Sequence, residues 1–295
     1  MNRPKQRRQG SCMAAERPLA PFGRRLARIG DSHLDGGYRM FSLTDEEGPP
    51  PAPGQFYMLA AEKWQGDSGR PYLPRAISVA RTLGERGAVR LEFLIDEIGP
   101  GTIRLGELRK GDSCWITGPF GTPFSMPREL NPGAVGAILV GGGIGIAPMA
   151  VLRRHLVSRG VPTRTLLGFR DQLHSGAIDD LFGCEEIRLA YEDGHGGSHK
   201  GYVTDLLVRM LNGDDPGSAA VYACGPPAML ESVRMICAEA NVPVELALES
   251  PMACGFGACY GCAVPKLDGG YLRLCVDGPV VRGDQIKTAM AGEAA

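Results

Sequence analysis

Four of the nine cysteines in this 295-residue chain crowd near its C-terminus, as Cys254, Cys259, Cys262 and Cys275. Their spacing is C-x4-C-x2-C-x12-C, and C-x4-C-x2-C followed by a fourth cysteine is the plant-type pattern of a 2Fe-2S cluster. The alternative metal is zinc, which four cysteines also suit. Zinc sites more often use two well-separated C-x2-4-C pairs, however, and the second pair is missing here. We therefore predict that these four thiolates bind a 2Fe-2S cluster.

The segment that carries these cysteines, residues 249–287, is too short to bury a hydrophobic core of its own and needs another reason to fold. Glycines stand between the first three ligands, where the backbone has to take dihedral angles that other residues avoid. Residues 262–267 and 271–276 read as two short strands joined by a Gly-Gly turn. The sequence predicts a small iron–sulfur hairpin, followed by a C-terminal tail of residues 288–295.

The charge of the chain is nearly balanced, with 32 Lys and Arg residues against 33 Asp and Glu residues. It gives no global attraction to nucleic acid or to an anionic membrane, so we expect neither as a partner. No apolar run reaches the ~20 residues that a transmembrane helix needs. Residues 1–16 are basic and polar without the apolar stretch of a secretory signal, and we expect a disordered tail. The number of cysteines is odd, and four of them are clustered, which is unlike the disulfide framework of a secreted protein. We therefore expect a cytoplasmic chain.

Residues 17–130 consist of short alternating runs punctuated by glycine and proline. The clearest runs are residues 38–43, 55–59, 76–80, 89–95 and 113–117. Short strands with turn signals between them predict a small antiparallel barrel. The proline-rich stretch of residues 45–53 and the stretch of residues 62–71 are expected to be exposed loops.

Residues 131–248 have a different sequence pattern, which predicts strands that alternate with helices. The predicted strands are residues 136–140, 163–168, 187–191, 219–223 and 244–248. The predicted helices are residues 148–158, 178–182, 202–210 and 228–240. This rhythm predicts a parallel sheet covered by helices on both faces. The expected fold class is therefore mixed β and α/β: an antiparallel barrel, a parallel α/β nucleotide-binding domain and the small iron–sulfur hairpin.

A glycine-rich turn follows the first predicted strand of the α/β region. An apolar strand runs into Gly141, Gly142, Gly143 and Gly145, and Pro148 opens the next helix. Glycines in such a turn let backbone N–H groups and the positive helix end approach a pyrophosphate. In some doubly wound folds the same glycines only allow a strand and a helix to pack tightly. Both interpretations stay open on this motif alone.

A second turn, Cys224-Gly225-Pro226, follows the predicted strand of residues 219–223. Ligands of open α/β sheets bind beyond the carboxyl ends of the strands. The two turns both lie at that edge, so together they can hold one extended ligand. Cys224 is either a nicotinamide-site residue or a small buried side chain.

The predicted barrel carries two further candidate motifs. The planar guanidinium group of Arg75 can donate two hydrogen bonds to a phosphate, and Ser78 adds a hydroxyl further along the same strand. Gly101 and Thr102 are expected to open a short helix, residues 102–108, whose free N–H groups face an anion. Taken singly, Arg75 is as readily a solvated surface charge and Thr102 only a helix cap. Their combination upstream of a nucleotide-type domain favours flavin binding.

The order of these motifs, together with Gly118-Pro119-Phe120-Gly121 and Gly168-Phe169-Arg170-Asp171, resembles the ferredoxin–NADP reductase superfamily. The C-terminal motif, residues 252–262 and 275–280, narrows the resemblance to the electron-transfer subunits of class 1B, NAD-linked dihydroorotate dehydrogenase. The resemblance covers roughly residues 17–287 of the chain.

This resemblance implies FAD in the domain of residues 17–130, NAD in the domain of residues 131–248 and the 2Fe-2S cluster in residues 249–287. The implied FAD residues are Arg75, Ala76, Ile77, Ser78, Leu94, Ile95, Asp96, Gly101 and Thr102. The implied NAD residues are Gly141, Gly142, Gly143, Gly145, Pro148, Cys224, Gly225 and Pro226. Ala76 departs from the family, which usually has proline there.

The resemblance also implies a partner. A catalytic subunit that holds FMN would oxidise dihydroorotate to orotate in pyrimidine (UMP) biosynthesis, and electrons would pass through the cluster and FAD to NAD. A heterotetramer with two copies of each subunit is the family expectation, and the cluster loop is expected to form part of the interface.

Two other functions remain open from the sequence. One is an NAD(P)H-linked reductase subunit that serves ferredoxin, sulfide or another redox partner with the same modules. The other is a non-catalytic, zinc-bound nucleotide-binding module. The choice between NAD and NADP is also open: Arg170 offers a charge for a 2′-phosphate, whereas Asp171 beside it favours NAD.

Overall fold

The computed structural model describes residues 23–62, 73–85, 87–183, 187–195, 198–213 and 218–290. The predicted tail of residues 1–16 and most of the predicted loop of residues 62–71 lie outside this part of the chain. The first module contains β1 (Arg25–Asp35), β2 (Tyr38–Asp45), β3 (Phe56–Ala61), β4 (Arg75–Leu83), β5 (Val89–Ile95), α1 (Pro100–Gly106), β6 (Ser113–Phe120) and α2 (Pro127–Leu130).

The six strands form the predicted antiparallel barrel. Their order is β1-β2-β5-β4-β3-β6, and the barrel closes because β6 pairs with β1. β1 alternates buried and exposed residues over its first half, as expected of a strand with one face toward a core. Inside, the Phe93 ring packs against Phe41 and Tyr57 with centroid distances of 5.5 and 5.9 Å.

The proline-rich stretch of residues 45–53 differs from its prediction as an exposed loop. Asp45 is buried and forms an ion pair of 2.6 Å with the buried Arg25. Its carboxylate also accepts hydrogen bonds from the N–H groups of Glu47 and Gly48. Because a buried charge has to be paired and hydrogen-bonded, these contacts draw the stretch onto the barrel and bury Gly48.

Helix α1 begins earlier than predicted, at Pro100 instead of Thr102. Gly99 is the cap, and Thr102 lies at the third helical position. The Thr102 hydroxyl accepts a hydrogen bond from the Gly99 N–H and donates one to the Gly99 carbonyl, each at 3.1 Å. The threonine therefore closes the first turn from within the helix instead of capping it.

The second module is the predicted α/β layer structure. Its strands are β7 (Gly136–Gly142), β8 (Thr163–Phe169), β9 (Ile187–Tyr191), β10 (His199–Lys200), β11 (Ala219–Cys224) and β12 (Val244–Ala247). Its helices are α3 (Ile146–Val157), α4 (Ile178–Phe182), α5 (Val203–Leu211) and α6 (Pro227–Glu239). These strands pair in parallel in the order β10-β9-β8-β7-β11-β12.

Hydrophobic cores lie on both faces of this sheet. Leu139 in the middle of β7 packs into the core that contains α3 and α4, whereas its neighbours Ile138 and Val140 pack into the core that contains α5 and α6. A strand covered on both faces is apolar throughout, which explains the continuous run in β7. Helix α3 also packs against β4 of the barrel, so it lies between the sheet and the barrel.

The third module contains β13 (Ala263–Pro265), β14 (Tyr271–Arg273) and β15 (Val280–Arg282). β13 and β14 form the predicted hairpin, with shorter strands than expected. β15 was not predicted, and it adds to the parallel sheet as an antiparallel edge strand beside β12. The hairpin region thereby shares the core under α6, where Leu274 is fully buried. Among the described residues, no helix is long and apolar enough to cross a membrane.

Candidate functional site

The chain order reverses between β7 and β11. From β7 the chain adds β8, β9 and β10 on one side, and it then returns to place β11 and β12 on the other. The carboxyl ends of strands at such a switch point form the crevice in which open α/β sheets bind ligands. The glycine turn follows β7 and the Cys224 turn follows β11, so both candidate turns border this crevice.

A cavity of about 500 Å³ lies between the barrel and this crevice. That volume is within the range of small-molecule and cofactor sites. Predicted site residues from both modules line it: Ala76, Ile77, Ser78, Leu94, Ile95, Asp96, Thr102, Gly145, Pro148 and Cys224. The structure therefore brings seven of the nine predicted flavin residues and three of the eight predicted nucleotide residues to one site.

Arg75 and Gly101 lie beside the lining residues. A Cβ atom on Gly101 would overlap the guanidinium group of Arg75, so the missing side chain makes room for that group at the first turn of α1. Arg75 also donates a hydrogen bond of 2.7 Å to the Leu73 carbonyl. A cation thus lies against the N-terminal end of a helix, and this arrangement fits an anionic group such as a flavin nucleotide's diphosphate.

This contact supports a prediction about flavin binding. We expect Gly101→Ala to displace the Arg75 guanidinium and to weaken FAD binding about tenfold, the order of a lost charge-assisted hydrogen bond. Gly99→Ala is the matched control, because a Cβ atom there meets nothing within 4 Å. Flavin content and fluorescence after dialysis measure the effect. Equal retention of FAD in the two variants would contradict the prediction.

On the α/β side the two turns pack directly against each other. A Cβ atom on Gly145 would overlap the carbonyl group of Cys224. A Cβ atom on Gly142 would lie 3.2 Å from Pro226 and overlap Met229. Gly141, Gly142, Gly143, Gly225 and Pro226 do not line the cavity themselves. The sequence left two roles open for these glycines, tight packing and a place beside a ligand. The structure shows that they allow tight packing and that they border the crevice.

Cys224 contributes a neutral thiol to the cavity. Burial, reinforced by the nearby Glu249 carboxylate, raises the pKa of Cys224 well above its usual range. The thiol therefore stays protonated and is a poor nucleophile, which fits a lining role beside a planar ring.

The sequence motifs did not include residues 249–251, which follow β12, and began only at Met252. Glu249, Ser250, Pro251 and Met252 all line the cavity, and the surrounding protein raises the pKa of the Glu249 carboxyl. Their position in the chain could have identified these residues as part of the site. Residues just beyond the carboxyl end of a strand next to a switch point face the crevice. This segment leads directly into Cys254 and so connects the cavity with the cysteine loop.

The four candidate ligands of the cysteine loop come together as two pairs. The sulfur atoms of Cys262 and Cys275 lie 3.3 Å apart, and the Cys254 thiol contacts Cys259. Within the described residues, no three His, Cys, Asp or Glu side chains converge as ligands of a single metal ion. A 2Fe-2S cluster takes two protein ligands on each iron. The paired thiols fit the two-iron group.

Backbone amides of the loop point at the sulfur atoms. Burial opposes ionisation of Cys254, but N–H groups of Cys259 and Phe256 donate to its sulfur and lower its pKa to about 6. Burial raises the pKa of Cys275 to about 12, with the Cys262 sulfur beside it. Amide donors of this kind favour bound thiolates and tune the potential of a cluster.

Left-handed backbone conformations shape the loop. Gly255 and Gly257 have φ angles of +77° and +87°, as expected of glycines between the ligands, whereas Gly261, of which the same was expected, does not have a positive φ. Tyr260 also has a positive φ, +59°, although it carries a bulky side chain. The guanidinium of Arg273 lies 5.4 Å from the centre of the Tyr260 ring and donates to the Gly257 carbonyl at 3.3 Å. Arg273 thus ties the hairpin to the loop.

Comparison with protein families gives two matches. Residues 249–287 match the iron-sulfur cluster binding domain of dihydroorotate dehydrogenase B. Residues 139–235 match the oxidoreductase NAD-binding domain.

Several curated proteins are similar to this chain along most of their length. The electron transfer subunit of dihydroorotate dehydrogenase B (NAD(+)) from Clostridium acetobutylicum is 38% identical over 79% of this chain and 85% of its own length. The proteins of the same name from Listeria monocytogenes and Caldanaerobacter subterraneus are each 34% identical, over 87% and 92% of their own lengths.

Solved structures agree on the architecture. The structure of an NADH-dependent reduced ferredoxin-NADP oxidoreductase, studied for flavin-based electron bifurcation, has a TM-score of 0.72 and 25% identity, and the match covers 91% of this chain and 92% of that one. Phthalate dioxygenase reductase, described as a modular structure for electron transfer from pyridine nucleotides to [2Fe-2S], has a TM-score of 0.60 at 20% identity, covering 90% and 96%. The second likeness bears on the fold alone.

Proposed function

This chain belongs to the family of electron transfer subunits of NAD-linked dihydroorotate dehydrogenase B, and we propose that it passes electrons between an FMN-containing catalytic subunit and NAD in pyrimidine biosynthesis. One observation carries the proposal. Residues 249–252 line the cavity shared by the barrel and the sheet, and the first cluster cysteine, Cys254, follows two residues later. A single short segment thus joins the flavin and nucleotide cavity to the cysteine loop.

The chain is an NAD-linked oxidoreductase subunit whose cofactors are FAD, NAD and a 2Fe-2S cluster. When bound, a flavin exchanges hydride with a nicotinamide and single electrons with an iron–sulfur cluster, and the protein sets the positions. We propose three modules that do so: residues 17–130 for FAD, 131–248 for NAD and 249–287 for the cluster.

We propose that the predicted residues hold these groups in the following way. Arg75 and the first turn of α1 take the flavin diphosphate, while the ends of β4 and β5 line the pocket of the ring. The turns after β7 and β11 hold NAD at the switch point, with the Cys224 thiol beside the nicotinamide. Cys254, Cys259, Cys262 and Cys275 ligate the cluster.

We further propose NAD rather than NADP as the nucleotide. The Arg170 side chain forms an ion pair of 3.3 Å with Asp171 and contacts the His174 ring at 2.6 Å. The positive charge of Arg170 is thus already paired with the neighbouring Asp171. The Asp171 carboxylate would also repel a 2′-phosphate that approached it.

The surface around the cluster loop fits a contact with the catalytic subunit. Phe256 and Tyr260 are 64% and 61% exposed, and the exposed ligand Cys259 lies between them in the sequence. Aromatic residues are enriched in the buried centres of protein interfaces. Holding Tyr260 in a left-handed conformation costs about 1–3 kcal/mol, a cost that functional sites commonly carry. We propose that this loop docks onto the catalytic subunit, in a heterotetramer of two copies each.

The decisive experiment is co-purification of the full chain with an FMN-containing catalytic subunit from the same organism, followed by an assay of NAD⁺ reduction that depends on dihydroorotate. We expect NADH to form only when both subunits are present. The chain alone, supplied with dihydroorotate and NAD⁺, is the control. A chain that fails to bind a dihydroorotate-oxidising subunit but reduces ferredoxin from NADH would favour the alternative reductase function.

A further inference from the structure

The hairpin between β1 and β2 crosses from the barrel to the α/β module. The Gly37 N–H donates a hydrogen bond of 2.7 Å to the Leu173 carbonyl, just beyond β8. Gly36 has a φ of +61°, and a Cβ atom there would overlap the same carbonyl group. Such close backbone contact fixes the position of the next residue, Tyr38, relative to the sheet.

The Tyr38 side chain lies in the seam between the two modules and is 2% exposed. Its ring meets the His174 ring edge-on, with centroids 5.5 Å apart and planes at 74°. His174 is in turn held by Asp171, whose carboxylate accepts hydrogen bonds from the His174 backbone and contacts its ring at 2.6 Å. The tyrosine ring therefore has one well-defined orientation.

Within the described residues the Tyr38 hydroxyl has no hydrogen-bond partner, and its oxygen keeps contact with solvent although the side chain is buried, so a ligand can reach it. It lies against the glycine turn, where a Cβ atom built on Gly143 would be 3.6 Å from its oxygen. Burial and the nearby Asp96 carboxylate raise the pKa of Tyr38, so the hydroxyl keeps its proton and can donate. A donor without an acceptor thus points at the turn that borders the nucleotide crevice.

We infer that Tyr38 is a positioning residue for the dinucleotide: its hydroxyl donates a hydrogen bond to a diphosphate or ribose oxygen of NAD held at the glycine turn. The barrel module would then take part directly in capturing the nucleotide, instead of leaving this to the α/β module. The chemistry follows from the site, because a tyrosine O–H that donates beside a glycine-rich turn matches the oxygen acceptors of a dinucleotide. The inference rests on the proposed NAD-linked function.

The test compares Tyr38→Phe with the wild-type chain, both loaded with FAD. The substitution keeps the ring contact with His174 and removes only the oxygen. We expect the dissociation constant of NAD⁺, measured by flavin fluorescence, to rise about three- to tenfold, the range that one hydrogen bond supplies. The rate of flavin reduction at saturating NADH, the FAD content and the melting temperature should not change.

Tyr57→Phe is the matched control, because the Tyr57 hydroxyl also lacks a partner but is sealed inside the barrel. It should leave NAD⁺ affinity unchanged. Equal NAD⁺ affinity in Tyr38→Phe and the wild-type chain would overturn the inference. Loss of FAD from Tyr38→Phe at unchanged NAD⁺ affinity would also overturn it and would assign the hydroxyl to the flavin. A wild-type chain that binds no NAD⁺ at all would contradict the proposed function itself.

Discussion

Replacing Cys259 by serine is expected to remove the 2Fe-2S cluster and to stop electron transfer to or from the catalytic subunit. Cys259 is the best of the four cysteines to replace because it is exposed, whereas Cys262 and Cys275 are buried and their substitution would also disturb the core. Dihydroorotate-dependent NAD⁺ reduction should fall at least about 100-fold, since losing an outer-shell partner alone typically costs a metal site roughly 10–100-fold.

The flavin and nucleotide modules should be spared. We expect the Cys259→Ser chain to oxidise NADH with ferricyanide within about twofold of the wild-type rate, because exposed substitutions away from the core change stability little. Ala258→Ser is the matched control, since it adds the same hydroxyl to the neighbouring exposed position and leaves all four thiols in place. Iron and acid-labile sulfide analysis with electron paramagnetic resonance reports the cluster. A full cluster in Cys259→Ser would remove this residue from the ligand set.

The second large effect is expected from Gly145→Ala. A methyl group at this position would overlap the Cys224 carbonyl, which belongs to a backbone that cannot simply rotate away. The turns after β7 and β11 would be pushed apart at the switch point. We expect NAD⁺ affinity to fall more than about tenfold and the unfolding free energy to fall by about 1–3 kcal/mol, the usual cost of overpacking.

Gly133→Ala serves as the control for this variant, because a Cβ atom there meets only the Asn131 side chain at 3.6 Å. Isothermal titration with NAD⁺ and urea denaturation measure the two quantities. The FAD content should stay high, since the barrel side of the cavity is untouched. Wild-type affinity for NAD⁺ in Gly145→Ala would show that the glycine turn does not hold the nucleotide.

Much of the fold could be read from local patterns. Alternation with period two in residues 17–130 predicted a barrel, and the change to strand–helix alternation at residue 131 predicted the parallel sheet, because each periodicity exposes one face to a core. Strand β15 escaped prediction. It is three residues long and pairs with β12, more than thirty positions earlier in the chain, so no local pattern carries the information.

The sequence did not predict the buried charge pair of Arg25 and Asp45 either, for a related reason. A proline-rich stretch ordinarily indicates an exposed loop. Here the Asp45 carboxylate forms an ion pair of 2.6 Å with Arg25, twenty positions away in the chain. This ion pair holds the stretch against the barrel. Glu249 and Tyr38 belong to no motif either, because their importance comes only from which cavity or turn they face.

The sequence by itself predicts the ligands at the cysteine loop, since four thiols at this spacing leave few other chemistries open. It also determined the two glycine-bearing turns, because close approach of the backbone requires residues without Cβ atoms. Only the tertiary structure decided that the thiols form two pairs, that both turns and the barrel share one cavity, and that Tyr38 reaches across the modules. Spacing fixes what residues can do, whereas distances across the fold arise from contacts between segments far apart in the chain.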